Sequence, residues 1–303
     1  MQLFPKKLSQ IYLVLFVSAF LTITGNFTFF QKTILIYPLS ENWLFLGSLF
    51  FFLFTFLAAL LLLFCYRVTT KPILIVLLMI SAIVSYSTNN YGIVFDHNMI
   101  LNTFETDTSE FLDLVSFKSI LYFFIFGLLP SIFVLKVKLK KISFKAQLWE
   151  RIKTFLVLVI IFVIIVLTFS KHYSSFAREN RDLRLYITPT YYLYSATKFV
   201  DSKFATSTKP FKEIGLDAKL NKKSDKRRLV ILVVGETARA DHMSINGYDL
   251  KTNPNLEQEE IISFDKMTSC GTDTALSVPC MFSLLDRSSY NHAKGKNMSN
   301  VLD

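Results

Sequence analysis

The stretch LVILVVGETARADH, residues 229–242, decides the fold of the second half of this chain. Its first six residues are all apolar and three of them are valine, and a short apolar run of this kind is typical of a buried strand. Gly235 ends the run, and the carboxylate of Glu236 follows directly. Open α/β sheets keep their sites at the carboxyl ends of their strands. The stretch therefore predicts an α/β domain with Glu236 at its site.

A second stretch, SCGTDTALSVPCMFS at residues 269–283, carries two cysteines around a cluster of hydroxyls. If residues 275–278 begin a helix, the unpaired N–H groups of its first turn attract anionic oxygens. Pro279 then falls close to that first turn, where proline is tolerated. Local chemistry does not select among the hydroxyls, which belong to Ser269, Thr272, Thr274 and Ser277.

Five apolar runs, each without a charged residue, precede these stretches: residues 8–30, 43–65, 72–88, 119–135 and 154–170. Each is long enough to cross a hydrocarbon core of about 30 Å. Their number and length argue against buried helices of a soluble core and predict five transmembrane helices. The first run lacks the small-residue cleavage site of a signal peptide, so it is interpreted as a retained anchor.

The basic residues are concentrated in loops on one side of these runs. Residues 136–153 hold seven Lys and Arg against the single acid Glu150, whereas residues 89–117 hold five acids and no Lys or Arg. Because cytoplasmic loops carry the excess of positive charge, the N-terminus is predicted inside and the chain after residue 170 outside. Topology and anionic lipid explain the net charge of +10, so no nucleic-acid partner is expected.

Together, residues 235–242 and 269–283 resemble the bacterial phosphoethanolamine transferases of the alkaline-phosphatase superfamily, which modify lipid A and include the colistin (polymyxin) resistance transferases. The resemblance implies a multi-pass domain in the bacterial inner membrane and an α/β, alkaline-phosphatase/sulfatase-like domain in the periplasm. It also implies a zinc cofactor, with Glu236 and Thr274 as ligands and Thr274 as the nucleophile. The family's remaining ligands, an Asp and a His, are expected beyond Asp303, so this 303-residue chain is expected to be truncated and incapable of turnover.

The acidic loop contains Asn102, Thr106 and Glu110 at intervals of four, which places them on one face if the segment is helical. Spacing alone favours an ordinary solvated face. The resemblance instead implies that the three residues hold the lipid donor, since an amide, a hydroxyl and a carboxylate suit a cationic head group that needs hydrogen bonds.

The three cysteines divide by compartment. Cys270 and Cys280 fall on the exported side, where disulfides persist, and no second Cys or His pair stands at the spacing of a Cys-based metal site. A Cys270–Cys280 disulfide is therefore predicted, with Cys65 as a packing residue. Asp241 and His242 are expected to be structural, because the family does not use them as ligands.

One departure from the family concerns Leu250, which stands where an arginine is usual in the pattern that begins at Gly247. Adjacent Lys251 is weak evidence for a replacement charge.

The expected domains are a transmembrane domain at 1–170 with a substrate loop at 89–117, interfacial helices and a linker at 171–226, and the start of the catalytic domain at 227–303. The expected function is transfer of phosphoethanolamine from phosphatidylethanolamine to lipid A or another envelope glycan. Two alternatives stay open: a phosphoglycerol transferase like the lipoteichoic acid synthases, and a non-catalytic membrane protein.

Overall fold

The fold is given by a computed structural model that describes residues 7–105, 115–204, 213–217, 219, 229–235, 239–264, 266–272 and 274–290. The chain divides into two compact units, residues 1–204 and 205–303. Three of the predicted site residues, Thr106, Glu110 and Glu236, lie outside the described residues.

The described part of the first unit is helical. Its α-helices are α1 (Gln10–Gly25), α2 (Phe27–Ile36), α3 (Leu39–Phe64), α4 (Thr70–Tyr91), α5 (His97–Glu105), α6 (Phe117–Lys136), α7 (Phe144–Thr168), α8 (Ser170–Glu179) and α9 (Thr190–Phe204). A 3-10 helix, Arg181–Tyr186, follows α8, and α6 contains a π-helical turn over Phe124–Leu128. Helices suit these apolar runs because a helix satisfies its own backbone hydrogen bonds in lipid.

Among the described residues, four helices are long and apolar enough to cross a membrane: α3, α4, α6 and α7. A fifth candidate is the pair of α1 and α2, which meet at an angle of 57°. The predicted first span, residues 8–30, therefore contains a bend that was not predicted from the sequence. The bend falls at Asn26, whose backbone leaves the helical region with φ −116° and ψ 24°.

The centre of the first unit lies where α1, α3 and α4 pack together. Leu13, Ala58, Leu74 and Leu78 are fully buried there. By contrast, α6 and α7 are mostly exposed within this unit, as expected for helices that face lipid. Since lipid tails are as apolar as leucine, close packing rather than exclusion of water holds such helices together.

Basic side chains cap the C-terminal ends of two helices beside the predicted cytoplasmic loops. Arg151 donates a hydrogen bond to the backbone oxygen of Leu62 in the last turn of α3. Lys71 Nζ donates to the backbone oxygen of Leu135, in the last turn of α6, at 2.7 Å. A cation is favourable at a helix C-terminus because the unpaired carbonyls there carry partial negative charge. The same charges that set topology therefore also cap α3 and α6.

The described part of the second unit contains one α-helix, α10 (Thr274–Met281), and the 3-10 helices Ala240–His242, Ser244–Asn246 and Leu256–Gln258. The buried strand predicted at 229–234 is not formed: these residues have no regular secondary structure, and their exposed fractions run from 42% to 86%. A strand is stabilised by a neighbour that takes up its N–H and C=O groups. No described segment of the second unit pairs with this one.

Candidate active site

Thr274, the predicted nucleophile, is the first residue of α10, and its side chain is exposed. The helix suggested for residues 275–278 is therefore present, and its first turn begins at the candidate hydroxyl. Pro279 lies in the second turn instead of near the first, which corrects the sequence-based placement. Proline there removes the hydrogen bond that its N–H would give to the carbonyl of residue 275.

A disulfide ties the segment before α10 to the last turn of that helix. Cys270 and Cys280 are joined, with their Cα atoms 6.3 Å apart, and Cys280 is buried. A side chain at Gly271 would clash with Leu276, so the backbone passes close to α10 at this glycine. The third cysteine, Cys65, is free and buried, consistent with a packing role. The disulfide and the close approach of Gly271 together restrain the turn that presents Thr274.

Two of the four candidate hydroxyls bond to each other. The Oγ atoms of Ser269 and Ser277 lie 2.9 Å apart, and Ser269 Oγ also accepts the N–H of Gly271 at 3.1 Å. This pair adds a second link, beside the disulfide, between the segment before α10 and the helix. Thr272 and Thr274 are both exposed, and Thr274 is the one at the helix start.

The two predicted metal ligands are not brought together by the described residues, since Glu236 lies outside them. Within the described part of the chain, no group of three or more His, Cys, Asp and Glu side chains is placed to hold a metal ion. A zinc site needs three or four such ligands. The donors described here therefore do not form a metal site by themselves.

Asp241 and His242 are engaged with each other and with Arg239. Arg239 donates to both carboxylate oxygens of Asp241, from Nε at 3.0 Å and from the terminal nitrogen at 2.6 Å. His242 Nδ1 lies 3.0 Å from Asp241 Oδ1, and its ring packs on Tyr248 with centroids 4.8 Å apart. The hydrogen bonds from Arg239, followed by that from His242, hold the pKa of Asp241 well below its usual range. The geometry supports a structural role for this loop.

The candidate donor-binding residue Asn102 is half-buried on α5. Asp96 caps this helix by accepting the N–H of Met99 at 2.8 Å. Helix α5 packs on α9, where the rings of Phe104 and Phe199 stack with centroids 5.1 Å apart. The prediction that Asn102, Thr106 and Glu110 share one face required the segment to be helical. Residues His97–Glu105 are helical, and Thr106 and Glu110 lie outside the described residues.

Sequence reasoning missed the contacts that attach the segment after α8 to the membrane helices. The buried side chain of Asn26 bonds to the backbone of Thr188, and the hydroxyls of Tyr192 and Ser81 lie 3.2 Å apart. The sequence held one signal for this site. Two residues interrupt the apolar run: Gly25, the weakest helix former after proline, and Asn26, which has a strongly polar side chain. Nothing local identifies Thr188 as the partner.

Two family models and several named proteins match this chain. The family model described as phosphoethanolamine transferase EptA/EptB matches residues 53–204, and the sulfatase family model matches residues 228–303. Phosphatidylethanolamine transferase Mcr-1 of Escherichia coli is 39% identical over 306 residues, covering 99% of this chain and 57% of that protein. Phosphoethanolamine transferase EptA of Escherichia coli (strain K12) is 30% identical, covering 96% of this chain and 54% of that protein.

A solved structure of a phosphoethanolamine transferase also matches this chain. It is the integral membrane protein lipooligosaccharide phosphoethanolamine transferase A (EptA) from Neisseria meningitidis, which superposes with a TM-score of 0.87 at 30% identity over 98% of this chain and 56% of its own. The chain thus spans about half the length of the relatives that it matches. A helical membrane domain is followed here by part of an alkaline-phosphatase-like domain, as the sequence predicted. The chain belongs to the phosphoethanolamine transferase EptA/EptB family.

Proposed function

We propose that the protein carrying this chain transfers phosphoethanolamine from phosphatidylethanolamine to lipid A or a related envelope glycan. The observation that carries the proposal is the placement of Thr274 at the start of α10, restrained by the Cys270–Cys280 disulfide. The relatives support the reaction, because they are named phosphatidylethanolamine or phosphoethanolamine transferases. These names do not favour a phosphoglycerol transferase.

In the proposed first step, the hydroxyl oxygen of Thr274 attacks the phosphorus of phosphatidylethanolamine. A bond forms between this oxygen and phosphorus, the bond from phosphorus to the glycerol oxygen breaks, and diacylglycerol leaves with a proton on that oxygen. In the second step, an acceptor phosphate or hydroxyl oxygen attacks the same phosphorus, the bond from phosphorus to the Thr274 oxygen breaks, and the acceptor's proton passes to that oxygen and restores the hydroxyl. The cycle is ping-pong, with a covalent phosphoethanolamine-threonine intermediate.

The chain's own contribution to this chemistry is the positioning of the nucleophile. The phosphoryl oxygens carry negative charge, and the backbone N–H groups in the first turn of α10 give this end of the helix the partial positive charge that favours such oxygens. Because the disulfide joins the segment before α10 to its last turn, the hydroxyl and these N–H groups keep one orientation to each other. Less conformational freedom then has to be lost at the moment of attack.

Zinc is the proposed cofactor, with Glu236 and Thr274 among its ligands. The carboxylate and the hydroxyl are oxygen donors of the kind that zinc accepts, but two such donors do not complete its coordination. When bound, zinc offsets phosphoryl charge and makes a hydroxyl more acidic. The described residues do not assemble a full ligand set, so the nucleophilic attack is assigned to Thr274 alone.

The lipid donor is proposed to bind near Asn102, Thr106 and Glu110. Asn102 supports this placement because it lies on α5, which packs on α9 within the unit that holds the membrane helices. The protein would then bind the donor lipid close to the bilayer in which that lipid lies. The carboxylate of Glu110 is assigned to the ammonium of the head group, and the other two side chains to hydrogen bonds.

The proposed location is the bacterial inner membrane, with the basic loops in the cytoplasm and the second unit in the periplasm. Arg151 and Lys71 support this orientation, since both cap helix ends beside the basic loops. Positive residues next to short loops are held on the cytoplasmic side. The disulfide is compatible with an oxidising compartment on the other side.

Mass spectrometry of the covalent intermediate tests the proposal. The protein should be expressed in cells from the gene that encodes this sequence, supplied with a phosphatidylethanolamine donor and digested for peptide mapping. We expect a phosphoethanolamine adduct on Thr274 and on no other hydroxyl of residues 269–283. An adduct on Thr272 would contradict the assignment of the nucleophile. A phosphoglycerol adduct would contradict the substrate class.

A further inference from the structure

A cavity of about 410 Å³ opens between α1 and α7 at the end of the bundle where the basic loops meet. The chain before α1 forms one wall and the loop after α6 forms another. These two segments are joined by backbone hydrogen bonds, from Leu8 N to Lys138 O and from Lys140 N to Leu8 O, both 2.9 Å long. The cavity lies at the opposite end of the helices from α5, so it is not part of the proposed donor site.

The polar floor of the cavity consists of two buried glutamines. Gln10 is 8% exposed and Gln147 is 7% exposed. Gln10 Nε2 donates to the backbone oxygen of Cys65 at 2.9 Å and to the hydroxyl of Thr70. Gln147 Nε2 donates to Gln10 Oε1. The two amides bond to each other and to the segment at the start of α4, and these bonds fix the floor of the cavity.

Two lysines and one carboxylate give the cavity lining a net positive charge. Lys140 and Lys153 line it together with Glu150. Lys153 Nζ also lies 5.0 Å from the centre of the Trp149 ring, which is outside the cavity lining. In the described part of the chain, no ion pair within 4.0 Å joins Glu150 to either lysine. Neither lysine ammonium is therefore paired with the carboxylate of the lining, and both are placed to bind an anionic ligand.

The opposite side of the cavity is apolar and follows α1 toward the interior of the membrane. It is lined by Ile11, Tyr12 and Leu15, and the Tyr12 side chain is 66% exposed. Aromatic residues with a polar tip lie at the level of lipid head groups. The cavity thus combines a charged polar end with an apolar end, in the order in which a phospholipid presents its head group and its acyl chains.

We propose that this cavity binds an anionic glycerophospholipid from the leaflet on the basic side. Its phosphate lies between Lys140 and Lys153, its head-group hydroxyls face Gln10 and Gln147, and an acyl chain follows α1 past Leu15. Basic pockets between membrane helices on the cytoplasmic side are suited to anionic head groups. Free phosphate would contact the two lysines but would leave the apolar end of the cavity empty. A zwitterionic head group would place its own ammonium beside two lysines, in a lining that is already positive.

Native mass spectrometry of the detergent-solubilised protein tests this site, with phosphatidylglycerol as the probe. The cavity variant is Lys140→Gln with Lys153→Gln. The matched control is Lys141→Gln with Lys145→Gln, which removes the same charge from exposed positions of the same segment without lining the cavity. We expect the cavity variant to retain phosphatidylglycerol about tenfold less than wild type, and the control to change by less than about twofold. Equal losses in the two variants would overturn the proposal.

A second variant tests the apolar end without removing charge. Leu15→Trp should fill that end and lower phosphatidylglycerol retention by at least about fivefold, a loss of about 1 kcal/mol. Unchanged retention in Leu15→Trp would overturn the assignment of the acyl chain. Phosphatidylethanolamine and inorganic phosphate serve as competing probes. Displacement of phosphatidylglycerol by either probe at equal concentration would overturn the anionic lipid as ligand. Thermal unfolding of each variant in the same detergent establishes that the protein measured is folded.

Discussion

Asn26 and Thr188 exchange two hydrogen bonds, although 162 residues separate them along the chain. The side-chain amide of Asn26 donates to the backbone oxygen of Thr188 at 2.8 Å, and its oxygen accepts the N–H of Thr188 at 2.9 Å. Asn26 sits at the bend between α1 and α2, and Thr188 lies just before α9. The bend of the first span and the attachment of the segment after α8 are therefore one structural feature.

Asn26→Ala should destabilise the membrane unit by about 2–4 kcal/mol, since each buried backbone group left without a partner costs about 1–3 kcal/mol. Asn26 and Thr188 are 1% and 6% exposed, so water cannot replace the amide. The measurements are thermal unfolding in detergent and hydrogen exchange at residues 186–190. Asn42→Ala is the control, because Asn42 is only half-buried and its amide bonds within its own turn, to the backbone oxygen of Pro38. Equal exchange in the two variants would contradict the role of Asn26.

The topology proposal predicts which positions an impermeant thiol reagent reaches in intact cells. In a background with Cys65 replaced by serine, a cysteine at Lys140 should be protected until the membrane is opened. Cysteines at Glu110 and Asp225 should react from outside. The physical reason is the retention of the basic loops on the cytoplasmic side. Labelling of Lys140 together with protection of Asp225 would reverse the orientation.

Replacing both Cys270 and Cys280 by alanine should remove roughly 3 kcal/mol of stability, the loop-closure contribution of a short disulfide loop. The Ser269–Ser277 bond then remains as the link between the segment before α10 and the helix. Protease sensitivity of residues 266–283 should rise, and transfer should fall because Thr274 is presented less uniformly. Peptide mapping without reductant provides the matching observation on wild type: Cys270 joined to Cys280, with Cys65 as a thiol. Recovery of three thiols would contradict the disulfide.

Thr274→Ala should lower phosphoethanolamine transfer by at least about 10³-fold, because no other group replaces the attacking oxygen. Thr274→Ser keeps a hydroxyl and should retain measurable transfer. Thr272→Ala is the matched control, since Thr272 is an exposed hydroxyl of the same segment outside the helix. Glu236→Ala should also abolish transfer and should lower bound zinc measured by mass spectrometry. Normal transfer in Thr274→Ala would reject this residue as the nucleophile.

Asp286 should make the turn at residues 286–290 sensitive to acid. Hydrogen bonds from the Ser289 and Ser288 hydroxyls and from the Ser289 N–H lower the pKa of this carboxyl to about 2. Since the pKa in the folded turn is depressed, the stabilisation is complete above the unfolded value of about 3.9 and is lost as pH falls toward 2.

The measurement compares hydrogen exchange of residues 284–290 in wild type and in Asp286→Asn at the same pH. We expect slower exchange in wild type at pH 6 and a difference that closes between pH 4 and pH 2. A difference that stays constant over this range would show that the carboxylate charge does not hold the turn.

Much of the membrane unit was predictable because its strongest signals are local. An uncharged apolar run in lipid forms a helix, since only a helix satisfies all of its backbone groups within one segment. The bend at Asn26 was not predicted, because its direction is fixed by a partner far along the chain. In the second unit, the apolar run at 229–234 was expected to be a buried strand and has no regular structure, since strand formation depends on non-local pairing.

The sequence by itself determined the membrane helices, the basic and acidic ends, the cysteine pair and the family-like blocks around Glu236 and Thr274. Each of these depends on residue type and short-range spacing. Only the tertiary structure decided the bend at Asn26, the bond between Ser269 and Ser277, and the cavity between α1 and α7. These features need side chains from distant segments to meet, and hydrogen-bond and packing partners are selected by the three-dimensional arrangement of the helices, which no local pattern encodes.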